Sequence, residues 1–293
     1  MADKRHADEL DIDEPLVRAL LRDQAPQWAD LPMSEIVDGG TDHTIFRLGD
    51  ELLVRLPCQV YKQQQVVDEM TTVPRLAPHL PLELPVTLHL GEPGHGYPCP
   101  WSVVRWIPGE RLTTENVDLP QAADDLAAFV VALQACDTTG GRAAGQQTGL
   151  RGLDLDVWVD IIAEYLPKYD DIDVTDALAA WEETLAAPRW DRPPVWFHGD
   201  LSGNLIVRDR RIVGVIDSAY GVGDPACDLE SGWTIFRGAD RERFFDAVGA
   251  DDAIRLRARG WALAPALIGL GYYRDVPRLR ANAIGAIEGA LSD

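Results

Sequence analysis

Lysine is nearly absent from this chain. Of its 27 basic residues only Lys4, Lys62 and Lys168 are lysine, and the remainder are arginine. Against them stand 48 acidic residues, for a net charge of −21. Such a surface repels phosphate backbones, which disfavours nucleic acid as a partner and would attract a polycationic small molecule. An acidic solubilising coat explains the same charge, so charge alone does not choose a ligand. Cysteine is also sparse: Cys58, Cys99, Cys136 and Cys227 lie far apart with no CxxC spacing. That disfavours a zinc knot or a disulfide framework and suits buried thiols in a reducing compartment. No uncharged apolar run reaches the roughly 18 residues of a membrane span. The opening segment MADKRHADELDIDEP has no apolar signal core, which points to the cytoplasm. Neither a GxxxxGK[ST] loop nor a GxSxG elbow occurs. GVGDPA (221–226) fits a dinucleotide pattern by chance, because no βαβ unit surrounds it.

What is present is an ample core composition, 46% apolar over 293 residues, with a change of texture part-way along. Residues 13–25 read as a helix, with Asp13 as cap and Pro15 near its start. SEIVDGGTDHTIFRLGDELLVRLP (34–57) reads as strand, glycine turn, strand, tight turn, strand. A helix is expected over 60–77, where Val66, Met70 and Val73 recur at helical spacing, then strands at 85–91 and 101–107. From about residue 117 helices dominate: LPQAADDLAAFVVALQAC (119–136) is amphipathic, and others are expected at 154–166, at 174–187 and from 217 to the end, interrupted by one short β-region around 195–217. The expected fold class is α+β: a β-rich N-terminal lobe, 1–106, and a mostly helical C-terminal lobe, 107–293, with a ligand cleft between them. The oligomeric expectation is a monomer or dimer.

Chemistry concentrates in VWFHGDLSGNLIVRDRRIVGVIDSAYGVGDPACDLE (195–230). Two apolar runs, 205–207 and 212–216, joined at Asp209-Arg210, suggest a hairpin. Asp200 precedes it in a glycine-flanked loop, Asn204 stands at its entrance, and Asp217 ends its second strand. An amide and a carboxylate brought together by hairpin closure are hard oxygen ligands of the kind Mg²⁺ prefers. A further carboxylate can take a proton from a substrate hydroxyl, a division of labour that phosphoryl transfer needs. Taken singly, each residue is an ordinary polar turn residue, and His198 a backbone-bonding loop histidine. The ordered set is the signal.

That set resembles the catalytic and metal-binding segment of the aminoglycoside phosphotransferase family, the small-molecule branch of the protein-kinase-like fold. HGD resembles its catalytic loop, Asn204 its first metal-ligand position, and VIDSAYGVGDPACDLE its second metal segment. GGTDHTIFRLGDELLVRLP resembles the nucleotide-covering loop and the strand carrying the phosphate-binding cation, and WSVVRWIPGERL the linker between lobes. The resemblance runs over about 34–236 and implies a bilobal kinase-like fold. It implies Asp200 as catalytic base, His198 shaping its loop, and Asn204 and Asp217 on Mg²⁺. Asp224 and Asp228 would brace the site, Asp224 also capping the helix that begins at Pro225. Nucleotide binding would fall to Gly39, Gly40, Thr41, His43 and Thr44 over the phosphates. Arg55 would grip them, oriented by Glu69, and the backbone of Arg105, Trp106 and Ile107 would hold the adenine. Asp200 and Asn204 are four apart where the family spaces them by five: either the loop is tighter or the metal ligand is placed differently.

The implied activity is transfer of the terminal phosphate of ATP or GTP to a hydroxyl of a small molecule, with an aminoglycoside-type antibiotic as leading acceptor. Asp156, Asp160 and Glu164 follow i, i+4 spacing and with Glu230 would face its ammonium groups. Trp158, Trp233 and Trp261 are pocket candidates that equally suit a core. Three alternatives stay open: a kinase of another acceptor (sugar, amino alcohol, macrolide), a nucleotide-binding protein without turnover, and a metal-dependent phosphohydrolase.

Overall fold

The computed structural model describes residues 9–36, 43–169 and 171–292. They fall into two compact units. One runs to Pro78 and resumes over Glu83–Pro108, and the other holds His79–Leu82 and everything from Gly109 onward.

The first unit opens with α1 (Glu14–Gln24), whose cap Asp13 accepts from the Leu16 amide at 2.9 Å. Eleven residues make a marginal helix in water. Fully buried Val17, Leu20 and Leu21 hold it in place, each contributing roughly 1.5–3 kcal/mol. An antiparallel sheet follows: β1 (Met33–Glu35), β2 (His43–Leu48), β3 (Leu52–Pro57), β4 (Thr87–Gly91) and β5 (Trp101–Arg105), in the order β1-β2-β3-β5-β4. Alternation assigns its faces. Phe46, Leu48, Leu52, Val54 and Leu56 join the α1 core. The register Ile45↔Arg55 and His43↔Pro57 sets His43, Ile45 and Arg55 together on the other face. Between β3 and β4 lies α2 (Gln63–Leu76), shorter than the expected 60–77 because Val60–Lys62 form a separate 3-10 turn. Its buried stripe is Val66, Glu69, Val73 and Leu76.

The second unit contains β6 (Glu110–Arg111), α3 (Leu119–Gln134), α4 (Val159–Tyr165), α5 (Thr175–Leu185), β7 (Val195–Phe197), β8 (Leu205–Arg208), β9 (Arg211–Val215) and β10 (Gly221–Gly223). Then come α6 (Ala226–Leu229), α7 (Ser231–Thr234), α8 (Gly238–Ala247), α9 (Asp252–Tyr272) and α10 (Pro277–Leu291). The apolar α9 is the central post, packing on α4, α5, α6, α7 and α10. The β8–β9 hairpin turns through Asp209 and Arg210, both at positive φ (53° and 61°), a pattern that matches the twist of its strands. Arg210 Nη2 donates to Val117 O at 3.0 Å, and Arg211 makes a two-pronged pair with Asp125 at 2.6 and 2.8 Å.

The sequence suggests one β-region here, and the unit has two small sheets. β6 adds to the hairpin in the order β6-β8-β9, while β7 pairs with β10. Neither β6 nor β10 exceeds three residues, too short to show a period. The helix expected at 154–166 is likewise split into a 3-10 turn, Leu155–Trp158, and α4.

Candidate active site

Asp200 lies in the bend between β7 and β8, its side chain about half exposed (54%) beside buried neighbours. His198, fully buried, supports that bend. Its Nδ1 accepts from the Asp200 amide at 3.2 Å and its Nε2 donates to Ile216 O at 3.1 Å, which fixes the neutral Nε2–H tautomer. Burial pushes its pKa down to about 3. His198 therefore holds the loop and exchanges no proton near neutral pH. From α6, the Asp228 carboxylate accepts from the amides of His198 and Gly199, both at 2.7 Å. Burial raises Asp228 to about 7, against these two donors, which favour its ionised form.

The tight Asp200–Asn204 spacing is closed by a turn in which the Asn204 amide donates to Leu201 O at 3.0 Å. Asn204 Nδ2 donates to Asp200 O at 2.9 Å and to its Oδ2 at 3.0 Å, so Asn204 helps to hold the carboxylate. Its Oδ1 is approached by Arg111 Nη1 at 3.5 Å, and the same nitrogen donates to Gly203 O at 2.7 Å. Asn204 O accepts from the Ile216 amide at 2.9 Å, which sets Asn204 level with the residue before Asp217. Asp217 has left-handed backbone (φ 57°), uncommon for a residue with a side chain and often a mark of a functional turn.

Oδ1 of Asn204 and the Asp217 carboxylate fit Mg²⁺ in donor type. Among the described residues there is no cluster of three or more His, Cys, Asp or Glu to hold a metal. Two protein oxygens suit a cation that arrives with phosphates and water rather than a caged one.

Around this core, Asp224 accepts from the Ala226 amide at 3.0 Å and pairs with Arg257 Nε of α9 at 2.7 Å, both side chains buried. The cap position expected of Asp224 is held instead by Pro225, which has no side-chain oxygen, and α6 begins one residue later than expected, at Ala226. Ser202 donates to Glu230, which also accepts from Thr234 at 3.0 Å, and burial raises Glu230 to about 7. Glu230 is thus tied to the bend that carries Asp200. Asp160 and Glu164 are exposed on α4, and Asp156 sits in the preceding 3-10 turn, 2.7 Å from Arg189. The three do not form one α-helical face. Trp158 and Trp261 pack edge to face at 5.7 Å, with Trp261 buried in the core and Trp158 half-buried beside it.

In the first unit, Arg55 Nη1 lies 2.6 Å from Glu69 Oε2, both buried. His43 is buried on the same face, with Nε2 lacking a partner among the described residues. Burial, then Arg55, then Lys62 hold its pKa well below the ordinary value. Thr44 is half-buried; Gly39, Gly40 and Thr41 lie outside the described residues. The Trp106 amide donates to Glu51 O at 2.7 Å, Ile107 is buried and Arg105 exposed. Arg111, Arg151 and Arg257 were not singled out from sequence, because their partners lie 33 to 93 residues away. No spacing signal reaches that far.

A sheet bearing a buried Arg55–Glu69 pair, and a helical unit bearing an exposed aspartate beside a metal-suited hairpin, define the small-molecule phosphotransferases of kinase-like fold. The chain belongs to the phosphotransferase enzyme family (APH), whose family model matches residues 34–263. No curated protein sequence matches the chain. Among solved structures it is similar to the GDP and kanamycin complex of APH(2″)-IIIa, with a TM-score of 0.74, 15% identity, and 94% of this chain and 97% of that one covered. It is also similar to the macrolide 2′-phosphotransferase MphH from Brachybacterium faecium, with a TM-score of 0.62, 21% identity, and 96% and 99% covered. A third is a macrolide 2′-phosphotransferase type I, with a TM-score of 0.66, 17% identity, and 97% and 99% covered. At such identities the likeness speaks for the fold. No helix among the described residues is long and apolar enough to cross a membrane.

Proposed function

We propose that this phosphotransferase moves the terminal phosphate of ATP or GTP to a hydroxyl of a small molecule in the cytoplasm, acting as a monomer or dimer. The observation that carries this reading is the bend at Asp200. An exposed carboxylate is held there by Asn204 on a rigid base of His198 and Asp228, in a chain of this family. Asp200 orients the acceptor hydroxyl and takes its proton as the oxygen bonds to phosphorus. The bond to the leaving phosphate breaks, and its electron pair departs with the nucleoside diphosphate. Asn204 and Asp217 would hold Mg²⁺, which when bound neutralises the donor phosphates. Arg55, fixed by Glu69, would grip those phosphates as a fork, with Gly39, Gly40, Thr41, His43 and Thr44 over them. The backbone of Arg105, Trp106 and Ile107 would carry the adenine.

An aminoglycoside-type antibiotic is the leading acceptor class, and a resistance role follows from it. Supporting it are the net charge of −21 and the placement of Glu230 against the Asp200 bend; Asp160 and Glu164, exposed on α4, would meet the acceptor's ammonium groups. A second acceptor class, macrolides, rests on similarity to macrolide phosphotransferases at the higher of the identities found, 21%. A panel of aminoglycosides, macrolides, sugars and amino alcohols, read by ATP and GTP consumption with Mg²⁺, decides between them. Turnover with aminoglycosides alone is the expected result. Turnover confined to another class replaces the acceptor, nucleotide binding with none throughout defeats the reading, and activity without nucleotide marks a phosphohydrolase.

A further inference from the structure

The segment from His198 to Val207, HGDLSGNLIV, contains no lysine or arginine. A phosphoryl group arriving beside Asp200 would bring negative oxygens next to a carboxylate with no cation from that segment to offset them. The structure supplies one from elsewhere in the same unit. Arg151 lays its stem against Gly199, where a Cβ would stand 3.3 Å from Arg151 Cγ and 3.4 Å from its Cβ. Gly199 has left-handed backbone (φ 88°), so the bend that exposes Asp200 also opens the seat for this arginine. On the other side, a Cβ at Gly149 would meet Arg151 Nη1 at 2.3 Å.

The guanidinium is anchored and aimed. Nε donates to Gly199 O at 2.8 Å, and Nη2 stands 3.9 Å from Asp200 Oδ1. Fully buried Thr148 secures the backbone: its hydroxyl donates to Arg151 O at 2.9 Å, and its carbonyl accepts from the Arg151 amide at 3.2 Å. At 3.9 Å, Nη2 and Oδ1 are too far apart to bond one another and well spaced to flank a third oxygen. About a third of the Arg151 side chain reaches solvent (30%), so a ligand can approach it.

We propose that Arg151 is a catalytic residue, its guanidinium contacting the phosphoryl group as it passes to the acceptor oxygen held by Asp200. The assignment rests on the phosphotransferase reading above. Arg151 exchanges no proton: the acceptor's proton goes to Asp200, and the electron pair of the broken P–O bond leaves with the nucleoside diphosphate. Its donors meet charge that grows in the transition state, where fixed donors act most strongly.

The test compares wild type, Arg151→Lys, Arg151→Gln and Arg151→Ala, with the acceptor that the panel identifies and with water as acceptor. The readouts are kcat, both KM values, nucleotide Kd by calorimetry and the unfolding midpoint. Arg151→Gln is expected to lose about 10²–10³ in kcat, the typical cost of one such donor. Both KM values and the Kd should stay within about threefold and the midpoint near wild type. Arg151→Lys should recover at least about tenfold of that loss, and millimolar guanidinium ion should partly rescue Arg151→Ala. An unimpaired kcat in Arg151→Gln, or a loss that neither lysine nor guanidinium relieves, overturns the assignment alone. A wild type that binds nucleotide and turns none over, even to water, overturns the phosphotransferase reading together with it.

Discussion

His198 and Glu230, beside the Asp200 bend, titrate in opposite senses. His198, held at about 3, favours the folded state above its unfolded value near 6.5, and this contribution is lost as pH falls from there. Glu230, raised to about 7, contributes stability fully present below about 4 and lost as pH rises through 7. Glu230→Gln removes the second effect. The variant should gain on wild type by about 1–3 kcal/mol at pH 8 and little at pH 5, read from urea midpoints at both. Catalysis divides differently. Asp200→Ala should cost about 10²–10⁴ in kcat and spare nucleotide affinity, whereas Asp217→Ala should abolish turnover and weaken Mg²⁺-dependent nucleotide binding in calorimetry. Asp200, Asn204 and Asp217 stand out in the sequence because one hairpin carries them all. The tightened spacing has a local answer in the turn from Leu201 to Asn204. Arg151 was invisible, since a lone arginine in a loop says nothing until Gly199 is seen to seat it.

At the scale of elements, α6 is bound to α9 by the buried Asp224–Arg257 pair. Burial raises Asp224 even with Arg257 beside it, so losing the arginine leaves a carboxylate with little compensation. Arg257→Met should destabilise by about 3–5 kcal/mol in urea, and Asp224→Asn added to it should recover part of that loss. A strictly additive double variant would show that the pair is not coupled. Elements with several turns or a clear alternation, such as α1, α3 and β2–β3, were legible because burial imposes a period on their sequences. The pairing of β7 with β10 was not. It joins three-residue strands across the segment that carries Asp200 and Asp217, and hydrogen-bond geometry rather than side-chain pattern specifies it.

Across the whole molecule, the charge of −21 should steer cations over distances that salt shortens. For an acceptor with several ammonium groups, kcat/KM should fall several-fold between about 50 and 500 mM salt, while an uncharged acceptor changes little. A flat response for the polycation would leave the charge a solubilising role only. The Arg55–Glu69 pair has a practical corollary when set beside the near-absence of lysine. A guanidinium resists the acylating and alkylating reagents that mark amines, so covalent nucleotide probes built to capture a lysine near the phosphates should leave β3 unlabelled. Reductive methylation of Lys4, Lys62 and Lys168 should leave turnover intact.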